Sequence, residues 1–252
     1  MTSPNRWSRG IGKDTDYFEF WDDFTKKYPL TSNLPVTASS PYNGTALNTG
    51  TFAQTSTITG GVAVLSGAAT TDNSGVQIQT DVSFASLVKA RKSHWQAMLK
   101  CSDGTQDEWL GGIFTADTTL LDGTGTTANL ASTFSYGVGF YKPDGESNVY
   151  GVIVRNSVLV YTTPAYAITA PTSNNHYYWV VAMDPTTSGT GDVYFYVNGT
   201  LINIGSKTVT TMPYDSEIVM APAISFLTGD NTGTKTMTLD YHGYLQERTA
   251  LV

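Results

Sequence analysis

The chain is poor in cysteine, in charge and in long apolar runs. Cys101 is the only cysteine among 252 residues, which excludes an intramolecular disulfide. Charged residues make up 14% of the sequence, well below the quarter that is usual in a globular chain. No apolar run approaches the length of a membrane span, and residues 1–6 lack the apolar centre of a secretory signal. We therefore expect a soluble protein that is made and folded in the cytoplasm and does not enter a membrane.

The balance of charge excludes one class of partner. The formal net charge is -7, whereas proteins that bind phosphate backbones carry clustered Lys and Arg. Small basic groups occur at Arg6 and Arg9, at Lys26 and Lys27, and around Arg91. Given the whole-chain charge, we interpret them as solvated turns or as part of an arm. The sequence predicts no nucleic-acid partner.

Patterns typical of catalysis are also missing. The sequence has no run of closely spaced carboxylates, no H-x-x-x-H or C-x-x-C pair and no Gly-rich loop that leads from a strand into a helix. His94, His176 and His242 lie far apart along the chain. We interpret the two in predicted strands, His94 and His242, as hydrogen-bonded polar residues. These features predict a protein that is not an enzyme.

One acidic turn is the nearest approach to a metal site. Asp103, Asp107 and Glu108 crowd this turn, and Asp184 and Asp192 flank a later hairpin. Neither group follows the D-x-D-x-D-G order of a calcium loop. We interpret both as turn residues and expect no metal and no cofactor.

Short segments of alternating apolar and polar residues fill most of the chain. The clearest is Phe134–Tyr141, in which Phe134, Tyr136, Val138 and Phe140 should share one face. Because side chains alternate across a strand, this pattern predicts a strand with one buried face.

Turn residues separate these segments. Asn198-Gly199 is the strongest turn signal, because both residues accept the positive φ of a type I′ hairpin. The polar stretch Thr31–Gly50 predicts a loop. The predicted strands are Tyr17–Phe24, Thr51–Ile58, Ala63–Ser66, Val76–Thr80, Ser93–Cys101, Trp109–Thr115, Phe134–Tyr141, Val149–Arg155, Val158–Thr162, Tyr177–Asp184, Asp192–Val197, Leu201–Ile204, Ile218–Leu227 and Thr236–Leu245. So many short strands predict an all-β, two-sheet antiparallel β-sandwich over residues 17–252, preceded by an extended N-terminal arm over residues 1–16.

Several of these segments occur in a familiar order between residues 17 and 245. They are Trp21–Phe24, His94–Asp103, Trp109–Phe114, Gly137–Lys142, Val193–Gly199 and Leu239–Tyr241. In this order they resemble the concanavalin A-like (lectin/glucanase-type) jelly-roll family, and within it the virion structural proteins of tailed bacteriophages. The resemblance implies a non-enzymatic protein that decorates or cements the capsid surface of a phage.

The resemblance also implies partners and a location. We expect contacts with the major capsid protein and with further copies of the chain, as a homo-oligomer and by analogy a trimer. The protein would be synthesised in the host cytoplasm and placed on the virion. We assign the interface to the arm, at Arg6, Trp7, Arg9 and Ile11, because an aromatic anchor beside guanidinium groups suits an interface.

The alternative is a carbohydrate-binding, lectin-like module, which could attach to glycans on a host surface. Tyr194 and Tyr196 should share the face opposite Phe195, and we place Tyr141 and Tyr244 opposite the main core as well. Rings on such a face form a candidate glycan platform, unless they pack against a loop or a neighbouring subunit. A third class, polysaccharide hydrolase, would need a close pair of carboxylates in a cleft.

Overall fold

Two antiparallel β-sheets stack face to face. The computed structural model describes residues 17–24, 42–55, 61–80, 91–123, 130, 134–167, 177–185, 191–202, 207–209, 218–229 and 232–247. In chain order its strands are β1 (Tyr17–Asp22), β2 (Tyr42–Leu47), β3 (Thr51–Thr55), β4 (Val62–Ser66), β5 (Gly75–Thr80), β6 (Ser93–Cys101), β7 (Asp107–Thr115), β8 (Tyr136–Lys142), β9 (Asn148–Arg155), β10 (Val158–Thr162), β11 (Tyr166–Ala167), β12 (Tyr177–Pro185), β13 (Gly191–Val197), β14 (Thr200–Leu201), β15 (Lys207–Val209), β16 (Met220–Thr228) and β17 (Thr236–Glu247). Among these residues no helix is long and apolar enough to cross a membrane.

We call the two sheets the front sheet and the back sheet. The front sheet has nine described strands in the order β14-β13-β12-β6-β17-β4-β3, with β1 also on β17 and β15 also on β13. The back sheet has eight described strands in the order β10-β9-β8-β7-β16-β5-β2, with β11 also on β9. All recorded pairings are antiparallel, and the predicted two-sheet sandwich is confirmed.

The predicted hairpin turn is confirmed, but the predicted loop is wrong in part. Asn198 and Gly199 have φ of 51° and 80°, as a type I′ turn requires. The Thr31–Gly50 stretch, predicted to be a loop, contains strand β2, which pairs with β5 along its whole length. The reason is Tyr42, which is fully buried and stacks with the ring of Phe24 at a centroid distance of 6.2 Å. One buried aromatic side chain outweighs the polar composition of the segment around it.

An aromatic cluster joins the two sheets at the centre of the core. Trp179 of the front sheet meets Trp109 and Phe140 of the back sheet, each at a centroid distance of 5.0 Å and with rings 68° and 64° apart. Phe140 also meets Phe195 of the front sheet at 5.4 Å and 80°. Aromatic pairs prefer such edge-to-face contacts over flat stacking. Because these rings point into the space between the sheets, the residues next to them along each strand point to the outer faces of the sheets.

A loop layer covers part of the outer face of the back sheet. A second apolar cluster lies there, formed by Leu110, Phe114, Leu120, Leu121, Leu130, Phe134, Tyr141, Val152, Val154, Ala223 and Leu227. Two glutamines of β5 hold part of this layer. Gln77 Oε1 accepts a hydrogen bond from the Leu120 amide at 2.7 Å, and Gln79 Oε1 accepts one from the Asp117 amide at 3.2 Å.

This layer corrects the prediction for Phe134–Tyr141. Val138 and Phe140 belong to the main core, as predicted, but Phe134 belongs to the second cluster because the strand begins only at Tyr136. Tyr141 lies in the second cluster too, so β8 is buried on both faces rather than on one. Alternation reports which face a residue takes, and it does not report whether a loop covers the other face.

Two ion pairs hold the acidic turn between β6 and β7. Lys142 Nζ lies 2.8 Å from Asp107 Oδ1, and both side chains are fully buried. The same ammonium group donates to the main-chain carbonyls of Thr105 and Pro143, both at 3.1 Å. Lys235 and Asp103 form the second pair at 2.9 Å, with 14% and 27% of their side chains exposed.

The buried pair should matter far more to stability than the exposed pair. In Lys142→Met the carboxylate of Asp107 stays buried without its counter-ion, so we expect the free energy of unfolding to fall by about 3–5 kcal/mol. Lys235→Met is the matched control, with an expected loss of about 0–1 kcal/mol. Urea unfolding of the two variants measures the difference. Equal losses would show that Lys142 does not neutralise a buried charge.

Candidate functional site

A trough of about 320 Å³ lies on the outer face of the front sheet. Strand β12 forms its floor, because Trp179, Val181 and Met183 point into the core and the residues between them point outward. Val180 and Ala182 are the small outward residues of this strand, and both line the trough. The remaining described lining residues are His94, Gln96, Tyr178, Tyr196 and Gly199.

The strand register places the two walls of the trough on either side of this floor. In the order β13, β12, β6, its two cross-strand rows are Tyr196–Val180–Gln96 and Tyr194–Ala182–His94. The middle residue of each row is small, and the outer residues are large. The two walls therefore stand two strand spacings apart, about 10 Å. One wall is aromatic and the other carries polar side chains.

The aromatic wall is Tyr196, and the ring of Tyr194 stacks on it. The rings of Tyr194 and Tyr196 have a centroid distance of 6.4 Å and lie 26° apart. Tyr194 Oη donates a hydrogen bond to Asp192 Oδ2 at 3.2 Å. Both tyrosines are half-buried, and Tyr196 is the one that lines the trough.

The polar wall is uncharged at neutral pH. Burial lowers the pKa of His94 to about 4, so its imidazole is neutral and offers one N–H donor and one nitrogen acceptor. Gln96 beside it is 6% exposed and carries an amide with both donor and acceptor atoms. This wall can therefore exchange hydrogen bonds in both directions with a ligand.

Tyr178 stands at one end of the trough. Its hydroxyl donates to Gln96 Oε1 at 2.5 Å, which joins the floor strand to the polar wall, and its ring lies 6.1 Å from that of Tyr241. The main chain of Tyr178 exchanges hydrogen bonds with the turn residue Asn198, whose Oδ1 accepts at 2.8 Å and whose amide donates at 2.8 Å. Burial raises the pKa of Tyr178 to about 12, so the hydroxyl keeps its proton.

Of the four tyrosines predicted for a glycan platform, Tyr196 lines the trough and Tyr194 stacks on it. Tyr194 and Tyr196 occupy the outer face of β13, as the alternation indicated. The prediction for Tyr244 is wrong, since this residue is 1% exposed and belongs to the main core. A β-bulge between Leu239 and Tyr241 reverses the alternation, which turns Tyr244 inward and places Tyr241 on the outer face beside Tyr178.

The prediction for Tyr141 is wrong for another reason. Tyr141 does face away from the main core, but the loop layer of the back sheet covers it and leaves it 1% exposed. Its hydroxyl donates to Glu108 Oε1 at 2.6 Å. Tyr141 is therefore unavailable to a glycan.

Sequence reasoning missed the floor of the trough and its end. Residues 177–183 read Tyr-Tyr-Trp-Val-Val-Ala-Met, and all seven are apolar or aromatic. Trp179, the largest of them, marks the inward face and could have placed Tyr178, Val180 and Ala182 outward. The predicted arm residues Arg6, Trp7, Arg9 and Ile11 lie outside the described residues, as does His176.

The other residues considered for chemistry are spread over separate places. His242 lies in the core, where its Nε2 accepts a hydrogen bond from Trp95 Nε1 at 2.7 Å. Asp103 and Asp107 bind different lysines, and Glu108 binds Tyr141. In the part of the chain that the structure describes, no three His, Cys, Asp or Glu side chains form a group that could hold a metal ion.

The order and pairing of the strands define a concanavalin A-like β-sandwich. A protein of unknown function from Shewanella oneidensis is 16% identical, with a TM-score of 0.58 over 100% of this chain and 98% of that one. An endo-1,3-beta-glucanase from Streptomyces sioyaensis is 10% identical, with a TM-score of 0.57 over 94% and 98%. Peanut lectin is 12% identical, with a TM-score of 0.54 over 93% and 100%.

These structures include both glucanases and lectins, so the fold is common to enzymes and to binding proteins. At such low identities the likeness establishes the fold alone. No protein-family model and no curated protein matches the chain in sequence.

The buried Glu108 should make stability depend on pH. Burial raises the pKa of its carboxyl group to about 7 from 4.5. Between these values the folded protein binds more protons than the unfolded chain, so the free energy of unfolding should fall as the pH rises. At 1.36 kcal/mol per pKa unit, the contribution of Glu108 should be roughly 3 kcal/mol.

Urea unfolding between pH 4.5 and 7 tests this expectation through Glu108→Gln, which should flatten the decline relative to the unmodified protein. Glu146→Gln is the control, because Glu146 accepts a similar bond from Tyr150 at 2.8 Å in an exposed position. An unchanged slope in Glu108→Gln would rule out Glu108 as the source.

Proposed function

We propose that this protein binds carbohydrate at the trough of the front sheet and does not hydrolyse it. The observation that carries the proposal is the pairing of an aromatic wall at Tyr196 with a polar wall at His94 and Gln96. A sugar ring has an apolar C–H face and a rim of hydroxyls, so it matches two walls of this kind. The volume of about 320 Å³ lies at the lower end of the range of roughly 300–1,000 Å³ for small-ligand clefts.

The chemistry of the lining favours binding over hydrolysis. Glycoside hydrolysis uses two carboxyl groups on either side of the scissile bond. Among the described residues that line the trough, none is Asp or Glu. The fold is compatible with either activity, and the lack of a carboxylate among the described lining residues supports binding.

The contribution of Tyr196 can be measured directly. We expect Tyr196→Ala to weaken binding of a neutral oligosaccharide at least tenfold, about 1.4 kcal/mol, because the ring that stacks on the sugar is lost. Titration calorimetry with gluco-, galacto- and manno-oligosaccharides gives the affinities, and an assay for released reducing ends on the same sugars should stay at background.

Tyr150→Ala is the matched control, since this half-buried tyrosine lies on the back sheet and should leave the affinity unchanged. Equal losses in both variants would argue against the trough. Flat titrations of the unmodified protein across the whole panel would refute carbohydrate binding.

A second role, in assembly on a phage capsid, rests on the sequence resemblance. We propose it as a separate candidate because the surface is poor in charge and exposes the apolar side chains of Val158, Val219 and Leu201, at 56%, 46% and 37%. Such side chains would be covered in a homo-oligomer or against the major capsid protein. The predicted arm interface belongs to this candidate.

Deletion of residues 1–16 tests the arm. We expect the truncated protein to lose binding to capsid particles in a co-sedimentation assay, because an anchor of aromatic and guanidinium groups is removed. Binding with unchanged affinity would show that the arm is not the anchor. Sugar binding by the truncated protein serves as the control for folding.

A further inference from the structure

At one end of the trough a large side chain, that of Tyr178, stands on the floor strand. Its axis follows β12, on which Ala182, Val180 and Tyr178 are successive outward residues. At Ala182 and Val180 the floor is low. At Tyr178 a large ring takes the place of the floor, and its hydroxyl reaches across to Gln96 on the neighbouring strand at 2.5 Å.

Several contacts hold this end wall in place. The ring of Tyr178 leans on that of Tyr241 at 6.1 Å, with the ring planes 58° apart. Tyr241 is 8% exposed, which leaves little room for either ring to swing aside. Two hydrogen bonds of 2.8 Å tie the main chain of Tyr178 to Asn198 of the adjacent turn, one accepted by the side-chain Oδ1 of Asn198 and one donated by its amide. The wall is therefore part of the sheet and does not belong to a loop that could open.

The charges around the trough restrict the ligand further. His94 is neutral because its burial lowers its pKa, and no described lining residue is a cation. Asp192 lies beside the aromatic wall and accepts a hydrogen bond from Tyr194. Lys100 lies on β6 beyond the end wall, past Met98. A carboxylate on the ligand would thus find no counter-ion among the described lining residues, and the net charge of -7 would repel it.

We propose that the trough takes the terminal one or two residues of an uncharged glycan, with the chain end against Tyr178 and the aromatic wall of Tyr196 on the apolar face of the sugar. This inference rests on the proposed carbohydrate binding and narrows it to a class of ligand. Tyr178 acts as a positioning residue that stops the chain, while Gln96 and His94 offer hydrogen bonds to the hydroxyls.

A length series on the full chain tests the inference. The probes are neutral gluco-, galacto- and manno-oligosaccharides of one to six residues, measured by titration calorimetry. For the sugars that bind, we expect affinity to rise up to the disaccharide and then change by less than about twofold. Oxidation of the same sugars at C6 to the uronates should weaken binding at least tenfold.

Variants at the end wall separate its role from folding. Tyr178→Ala removes the wall, so the ratio of hexasaccharide to disaccharide affinity should rise at least fivefold. Tyr178→Phe keeps the ring and loses only the bond to Gln96, so this ratio should stay unchanged. Should Tyr178→Ala fail to fold, the length series of the unmodified protein decides alone.

The outcomes distinguish this inference from the proposed function. An affinity that climbs steadily beyond two residues, or uronates that bind as well as the neutral sugars, would overturn the inference and leave carbohydrate binding in place. A panel with no binding at any length would overturn both.

Discussion

The structure depends on the edge-to-face contact of Trp179 with Trp109 and Phe140. These rings come from different sheets, and each pair has a centroid distance of 5.0 Å. A strand presents alternate residues to opposite faces, so a slip of one position would drive Trp179 into solvent and carry Val180 into the core. Fixing this one indole therefore fixes the outward face of β12. The floor of the trough is set by packing on the other side of the same strand.

Among the described residues, the two outer faces differ because a loop layer covers part of the back sheet. The back sheet carries strands that are buried along nearly their whole length, such as β7 and β16, and Gln77 and Gln79 hold part of the loop layer on that face. The strands beside the trough alternate more regularly, as in β13, where every second residue is half-buried. Aromatic and polar side chains thus lie where a ligand can reach them. An exposed sheet face of this kind can bind either another subunit or a small ligand. The small side chains of the floor, between one aromatic and one polar wall, favour a ligand over a subunit contact.

The sequence predicted the fold more completely than it predicted the candidate site. Alternation and turn residues predicted most strands, the two-sheet architecture and the hairpin at Asn198, because these depend on local periodicity. Alternation failed at Tyr244, where a bulge reverses it. At Tyr141 it predicted the correct face, but it could not predict that a loop covers that face. The trough needs residues from β6, β12 and β13, which only the sheet order brings together. Composition alone could not show that His94 and Tyr196 lie on opposite sides of one floor.

We propose that a saccharide occupies the trough of the front sheet. The most direct test is an NMR titration of the methyl-labelled protein with a neutral disaccharide, in which the methyl signals of Val180 and Ala182 report on the floor. We expect these signals to shift in a saturable manner, while the methyl groups of Val152 and Val154, buried under the loop layer of the back sheet, stay in place. Saturable shifts confined to the back sheet, or no shifts with any sugar that binds, would contradict the claim.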